Sequence, residues 1–536
     1  MSEDSEEIKP KKEKVKRSKS KSKPAPKKDI SKPDSNSPSP KKDEKILLSY
    51  ITYHNSNPIT RNALRNGRRI FNNKTELASY DQNDPEFNKN FIEFRQLFFE
   101  DLLLTEDLKD DSENDVIHKL RAQSALFSTF IYDGEFIEPF INQFKMPSII
   151  IRHQDNQKYN AMDEYGNYIK FVFPKISQTL RWGKFHSKLI ILKFPTFLRI
   201  IVPSANLTDG DWYYWGQIIW FQDFFLIQDN NPKEEKDKQR SSDFRNYLKR
   251  FMETFMPHKY EGKRFWTDLK IDFDLYDFSE ASVDLIASAN GRFIGDKEKD
   301  FFGVGRLHDL MSSKYFNIEK NNNLIIQCSS FGVTKNKNFF NNLYKGFNLK
   351  EENNIDIFYP SEQYIHNCEK GLELSSCLFF NNEAYNIYKG KLHDIILKER
   401  FKDRKTVFHS KIFITGKRNK LNNFILNKDS FIYIGSHNFS SSAWGNFEKN
   451  GTQISIANYE LGIIFDVNLL SYQEKLDIYN NLFKAKDIGE GLGISSRTVS
   501  GAARKLVTDG YIEKVGTSPV VYSLTQKGIE VNLEEF

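Results

Sequence analysis

Short apolar runs, rich in β-branched residues and bounded by Gly, Pro and Asn, recur between residues 117 and 470 of this 536-residue chain. In the first stretch they are Ser148-Ile149-Ile150-Ile151-Arg152, Phe171-Val172-Phe173, Leu189-Ile190-Ile191-Leu192, Leu198-Arg199-Ile200-Ile201-Val202 and Ile218-Ile219-Trp220-Phe221. Runs of this length and composition read as buried strands. A helix-like segment follows over residues 244–255. A second stretch repeats the style at Leu324-Ile325-Ile326-Gln327, Ile355-Asp356-Ile357-Phe358, Ile412-Phe413-Ile414, Phe431-Ile432-Tyr433-Ile434 and Leu461-Gly462-Ile463-Ile464-Phe465. Strands alternating with polar connections predict an α/β fold. Two such stretches predict two halves related by a pseudo-twofold axis, with a site at their seam.

The ends are written differently. Residues 1–43 carry 14 Lys/Arg and 8 Asp/Glu among Ser and Pro, with almost nothing to bury, and are expected to form a disordered basic tail. Subtracting them from the totals of 78 and 72 leaves 64 charges of each sign, so the remainder is formally neutral. Any nucleic-acid groove there must be locally basic. Lys9-Pro10-Lys11-Lys12-Glu13-Lys14-Val15-Lys16-Arg17 reads as a nuclear-localisation patch. Residues 44–116 show mixed signals and predict a helical or irregular extension. The two halves are assigned to 117–315 and 316–475, and 229–242 reads as a charged surface loop. Residues 485–499 read as helix, Gly turn, Ser N-cap, helix, with Val499, Ala503 and Leu506 at helical spacing. A hairpin around Gly516-Thr517-Ser518-Pro519 follows, so 476–536 resembles a winged-helix module with Arg497, Thr498, Ser500 and Arg504 facing out. No run of eighteen apolar residues and no apolar signal core occurs. Three cysteines without metal-ligand spacing (Cys328, Cys368, Cys377) predict reduced thiols in an intracellular compartment.

The candidate chemistry lies in a motif that occurs twice. Phe185-His186-Ser187-Lys188 precedes Ser204-Ala205-Asn206, and Phe408-His409-Ser410-Lys411 precedes Ser436-His437-Asn438; Trp212 and Trp444 stand six residues past the asparagines. One His-x-Lys among ten histidines could be chance. Two copies with matching flanks are not. Imidazole suits nucleophilic or acid–base work, while ammonium and amide groups hold phosphate oxygens. His and Lys at i and i+2 share one face of a strand. Two histidines could then flank one phosphorus, which predicts a phosphodiesterase. No Asp/Glu or His/Cys cluster at metal-ligand spacing lies near either copy, so no metal or other cofactor is expected. The constant offset of Trp212 and Trp444 marks them as packing residues. The longer gap between His409 and Asn438 predicts a loop over 417–427 near the site.

These residues resemble the phospholipase D superfamily and, within it, the tyrosyl-DNA phosphodiesterases. Phospholipase-type members carry an aspartate five residues after the motif lysine, where this chain has Lys193 and Gly416. The segments Ser204-Ala205-Asn206-Leu207 with Asp211, Trp212 and Gln217, and Ser436–Trp444 with Glu448-Lys449-Asn450-Gly451-Thr452-Gln453 and Tyr459-Glu460-Leu461-Gly462, are close to that family's two signatures. The resemblance spans about 117–470. The family's closing aromatic-rich segment is replaced here by the winged-helix-like module.

The resemblance implies hydrolysis of the bond between a topoisomerase tyrosine and a DNA 3′-phosphate, and of other 3′ blocks, without metal. It implies that His186 is the nucleophile and that His409 protonates the leaving oxygen and then activates water. Lys188, Lys411, Asn206 and Asn438 would surround the non-bridging oxygens, and Gln217 and Glu460 would fix histidine tautomers, with the pairing left open. Trp182 would stack on DNA, a core tryptophan being the alternative, and Ser329 and Ser330 would meet backbone phosphates. The implied partners are single- and double-stranded DNA with blocked 3′ ends and a topoisomerase-derived peptide, with no membrane and a monomeric chain in the nucleus. The competing readings are a nuclease or lipase on the same fold and a non-catalytic DNA-binding protein.

Overall fold

The computed structural model describes residues 70–73, 91–99, 121–153, 162–227, 242–256, 263–279, 281–314, 323–332, 337–347, 349, 355–394, 406–418, 424–426, 430–467, 506, 508, 512–515 and 521–524. The chain divides into Met1–Ser49 and Tyr50–Phe536, and every described residue belongs to the second unit. The basic tail, the Lys9–Arg17 patch, 228–241 and the helices expected over 485–499 lie outside the described residues.

The first sheet has nine strands: β1 (Ile70–Asn73), β2 (Phe91–Ile92), β3 (Ser124–Thr129), β4 (Ser148–Arg152), β5 (Met162–Tyr165), β6 (Ile169–Val172), β7 (Leu189–Lys193), β8 (Phe197–Pro203) and β9 (Ile218–Phe225). Their order is β2-β1-β9-β8-β7-β3-β4-β6-β5. The following strands are β10 (Asp284–Ser288), β11 (Gly291–Ile294), β12 (Asn323–Gln327), β13 (Ser330–Phe331), β14 (Ile355–Phe358), β15 (Phe379–Phe380) and β16 (Leu392–His393). They continue with β17 (Ile412–Arg418), β18 (Phe424–Ile425), β19 (Phe431–Gly435), β20 (Asn446–Glu448), β21 (Gln453–Ile456) and β22 (Glu460–Asp466). The second large sheet runs β10-β22-β19-β17-β12-β14-β16, with β18 on β17. Reading β9-β8-β7-β3-β4 against β22-β19-β17-β12-β14 gives one topology twice. The expected two-half α/β architecture is present. A hairpin of β23 (Ile512–Val515) and β24 (Val521–Leu524) forms where the wing was expected.

The boundaries differ from those expected. Of the segment 44–116, the described residues 70–73 and 91–99 belong with the first half, because β1 and β2 extend its sheet through antiparallel pairing of β1 with β9. Asp284–Ser288, assigned to the first half, instead pairs antiparallel with β22 at the edge of the second sheet. The loop expected near the site at 417–427 begins at the far end of β17, where Lys417 and Arg418 pair with β18. His409 lies before the other end of that strand.

Alternation of side chains along each strand produces two apolar layers. On one face of the first sheet, Phe127, Ile150, Ile190 and Phe221 pack under helix α1 (Gly134–Gln143) through Ile137, Phe140 and Ile141. On the other face, Leu126, Ile191, Leu198 and Trp220 join a single cluster with Leu285, Ile326, Ile357 and Ile463 of the second sheet. Helix α2 (Asp243–Glu253) buries Tyr247, Leu248, Phe251 and Met252 in that shared cluster. The halves therefore have a common core. Trp212 and Trp444 are 1% and 0% exposed and serve packing, as their offset implied.

Arg199 on β8 ties the segment 91–99 to this sheet. Its guanidinium donates to Leu97 O at 3.0 Å, to Phe99 O at 2.9 Å and to both oxygens of Asp223 at 2.7 and 2.8 Å. Removing one member of a buried ion pair strands the rest. Arg199→Ala is expected to lower stability by about 3 kcal/mol, read as a lower urea midpoint at unchanged m-value.

Candidate active site

Both motifs lie at the seam, in extended chain just before β7 and β17 rather than within those strands. Each is held by the opposite half. His186 N–H donates to Tyr459 O at 2.9 Å, and Tyr459 N–H donates to Lys184 O at 2.8 Å. In the other copy, His409 N–H donates to Gly216 O and Gly216 N–H to Val407 O, both at 2.9 Å. Tyr459 is followed by Glu460, the first residue of β22, and Gly216 by Gln217, the residue just before β9, so each polar residue stands at the start of the last strand of its own large sheet. Backbone pairing across the seam therefore delivers each such side chain to the other half's histidine.

This resolves the pairing that the sequence left open. Glu460 Oε2 lies 2.7 Å from His186 Nδ1. Ser436 Oγ donates to the same oxygen at 2.5 Å, and Asn458 Nδ2 donates to Oε1 at 2.9 Å. Gln217 does reach His409, its Nε2 standing 3.3 Å from Nδ1, but the principal partner is Asp211, whose Oδ1 is 2.8 Å from Nδ1. Gln217 Nε2 donates to Asp211 Oδ1 at 2.6 Å, and Asn206 Nδ2 and Thr208 Oγ1 each donate to Oδ2 at 3.0 Å. Asp211 sits in a single π-helical turn, Gly210–Tyr214, a distortion common at functional sites. Each histidine thus has one buried carboxylate on Nδ1, which leaves Nε2 for chemistry.

The other expected residues converge here. Lys188 Nζ donates to His186 O at 2.8 Å, and Lys411 Nζ bonds His409 O. Asn206 Oδ1 accepts from Ile131 N–H at 3.3 Å, and Asn438 Oδ1 accepts from Ser330 N–H at 3.2 Å, a matching pair of supports. Ser329 is 1% exposed and directs its hydroxyl to Asn438 Oδ1 at 3.4 Å, so its place is behind that amide. Ser330 is half-buried at the same edge. Trp182 is 59% exposed four residues before His186, at the surface and not in the core. Phe130 lays its ring 5.4 Å from the His186 ring.

Some contributors went unread in the sequence. Asp211 was part of a signature only, because the second copy has Ala443 at the same offset from its asparagine. The halves obtain their carboxylate from different positions, which hides the equivalence. Asn73, far upstream, accepts from Gln217 N–H at 2.7 Å and donates to Trp212 O and Trp215 O at 2.9 and 2.7 Å. No motif marks it.

The electrostatics follow from burial. Burial pulls Lys188 down to about 7 and Lys411 to about 8, with Glu460 and Asp211 respectively opposing the fall. Burial, assisted by Lys411 and opposed by Asp211, lowers His409 to about 4. His186 is lowered by burial, with Glu460 opposing. Burial alone would raise both carboxyls, but His186 and its hydrogen bond hold Glu460 at about 2, and His409 and Asn206 hold Asp211 well below the carboxylate range. Two cations, two carboxylates and two neutral imidazoles share one buried space. An anion entering between the lysines would meet positive charge and raise the pKa of both ammonium groups and of His409. Among the described residues, no group of three His, Cys, Asp or Glu side chains is placed to hold a metal ion.

The sequence profile of the tyrosyl-DNA phosphodiesterase family matches residues 107–511. It runs on past 470, through the segment read as replacing the family's closing portion. Tyrosyl-DNA phosphodiesterase 1 of Arabidopsis thaliana is 25% identical over 376 residues, covering 67% of this chain and 58% of its own length. The protein named "probable tyrosyl-DNA phosphodiesterase" of Schizosaccharomyces pombe is 21% identical over 360 residues, covering 55% of this chain and 65% of its own. The chain thus spans less than two thirds of both curated relatives. The crystal structure of the yeast tyrosyl-DNA phosphodiesterase superposes with a TM-score of 0.52 at 15% identity, over 75% of this chain and 90% of that one.

Two expectations follow from the charges. Asp211 opposes the depression of His409, so Asp211→Asn is expected to shift the His409 titration further down, measured by histidine ring NMR; an upward shift would refute the pairing. His409 and His437 are both lowered to about 4, so the folded state takes up their protons later than the unfolded chain. The contribution of these two histidines to stability is then full above pH 6.5 and is lost as the pH drops from 6.5 towards 4, measured by urea unfolding across that range.

Proposed function

Since this chain belongs to the tyrosyl-DNA phosphodiesterase family, we propose that it is a DNA-repair hydrolase acting on 3′-phosphotyrosyl ends left by a trapped topoisomerase, and on other 3′ blocks. The observation that carries this reading is the pair of carboxylate-bound histidines, His186 on Glu460 and His409 on Asp211, each within electrostatic reach of both buried lysines, Lys188 and Lys411. A phosphodiester monoanion fits between the ammonium groups, with the Asn206 and Asn438 amides on its non-bridging oxygens.

In the first step His186 Nε2 attacks phosphorus and the tyrosyl oxygen leaves. Glu460 on Nδ1 stabilises the positive charge that the ring gains as the N–P bond forms. His409 donates a proton from Nε2 to the departing oxygen, with Asp211 balancing the imidazolium; the bound anion favours this protonated form. In the second step His409, now neutral, takes a proton from water as the water attacks the phosphohistidine. The products are a 3′-phosphate and free His186. General acid–base assistance of this kind supplies about 10²–10⁴-fold.

Trp182, exposed four residues before His186, is available for stacking on a DNA base, worth about 1–3 kcal/mol per base. The Lys9–Arg17 stretch would direct the chain to the nucleus, and a monomer suffices because both histidines come from one chain. A nuclease or lipase on the same fold would show instead as cleavage of internal DNA bonds or of lipid.

The test is single-turnover cleavage of a 3′-phosphotyrosyl oligonucleotide by the full chain in EDTA. Wild type is expected to release a 3′-phosphate end. His186→Ala is expected to be inert, and His409→Ala to accumulate a covalent DNA adduct. Wild type that binds the oligonucleotide without turnover would sink the reading in favour of a binding protein. Trp182→Ala is expected to weaken apparent DNA affinity by about 10-fold with little change in the chemical step, by the stacking energy above.

A further inference from the structure

The two motif turns are not equivalent. Ser204-Ala205-Asn206 has a small apolar residue at its centre, whereas Ser436-His437-Asn438 has a histidine, and both central residues are buried. His437 is 0% exposed and is not one of the two histidines that the reaction uses.

Its hydrogen bonds form a closed chain. Ser288 Oγ donates its one proton to Ala443 O at 2.6 Å, so toward His437 Nε2, 3.0 Å away, it must accept. Nε2 therefore carries the ring proton and Nδ1 is an acceptor. That acceptor is met by the Tyr433 hydroxyl. The imidazole ring also packs 4.5 Å from Trp444. Room for the Tyr433 phenol exists only because Gly435 and Gly462 are glycines, since a Cβ on either would collide with its hydroxyl.

This chain surrounds Glu460. Ser288 is the β-ladder partner of Glu460 on the neighbouring strand, and Gly435 is the partner of Gly462. Ser436, next to His437, donates to Glu460 Oε2, and Asn438 follows on the other side. In the other copy Asp211 receives four side-chain donors drawn largely from its own loop. Glu460 has a longer side chain and leans on Ser436, whose turn is set by His437.

We propose that His437, clamped between Tyr433 and Ser288, is a positioning residue that holds the second motif turn so that Ser436 fixes Glu460 on the nucleophilic histidine and Asn438 faces the phosphate. It does not touch the reacting atoms. The inference rests on the phosphodiesterase reading above and adds to it a third buried histidine whose role is placement.

The experiment is single-turnover formation of the His186–DNA adduct by the full chain on a 3′-phosphotyrosyl oligonucleotide, with the DNA dissociation constant and thermal midpoint measured alongside. His437→Ala, which installs the residue of the first copy, is expected to slow adduct formation by about 10²-fold, the cost of a misplaced reacting group, with DNA affinity unchanged within about twofold. Tyr433→Phe and Ser288→Ala delete single hydroxyls and are expected to give smaller losses. The double variant Tyr433→Phe/His437→Ala is expected to be no slower than His437→Ala, as for members of one network. Ile432→Ala opens a cavity on the other face of the same strand and is expected to lower stability without slowing the step. Added imidazole is expected to restore the His437→Ala rate and leave Ile432→Ala unaffected. The proposal is overturned if His437→Ala reacts at the wild-type rate, or if its loss tracks its stability as in Ile432→Ala. Should His437→Ala not fold, wild-type rates in both hydroxyl deletions would overturn it equally. A wild type inert on this substrate would remove the functional reading itself, and this inference with it.

Discussion

Everything at this site depends on a reciprocal exchange of backbone hydrogen bonds across the seam. Residues 184–186 pair with Tyr459, and 407–409 pair with Gly216, so each histidine is laid against the start of the other half's last strand. The pairing is cheap in sequence terms, because main-chain groups need no particular side chain. Its result is specific: a carboxylate is carried to within 2.8 Å of each imidazole from about two hundred or more residues away, at separations of 274 and 198. Neither half holds a complete histidine–carboxylate pair alone. The shared apolar cluster around α2 joins the two halves.

Burial then determines the charges. Lys188 and Lys411 are 0% exposed, as is Glu460, and such groups are tolerated only when matched and hydrogen-bonded. Here two cations face two carboxylates, and each carboxylate receives hydrogen bonds from several donors. The histidines are left neutral at ordinary pH, which suits a nucleophile. The same neutrality would not suit an acid; on the proposed reaction, the negative charge of a bound phosphodiester would restore a proton to His409. Binding and protonation would thereby be coupled through Coulomb interactions at short range.

The strand runs, the duplicated motif and the α/β character could be read from the chain because they are local. Apolar runs such as 198–202 and 461–465 admit one interpretation, and His, Lys and Asn at fixed offsets admit few. What could not be read depends on contacts between distant segments. Asp211 hides because the second half uses Glu460 in another place for the same purpose. Asn73 hides because nothing local connects a residue in a weakly patterned extension to the backbone of 212–217. The half boundary was misplaced because β10 has no sequence mark telling which sheet it joins. Ser329 looked like a phosphate contact by resemblance, and only packing shows its hydroxyl turned to Asn438.

The position of β22 has a consequence for synthesis. The strand that bears Glu460 is the last of the second large sheet to be made, and β10, its edge partner, precedes it by more than 170 residues. A ribosome-bound chain can assemble the first sheet while His186 still lacks its carboxylate. Chain emerging in order folds as units where contacts are local, and this contact is among the least local in the molecule. A chain stalled or cleaved before residue 460 would carry an imidazole at His186 that is neither oriented nor charge-balanced. On the proposed mechanism, such a fragment would lack the group that stabilises the attacking imidazole, and would form the covalent intermediate poorly.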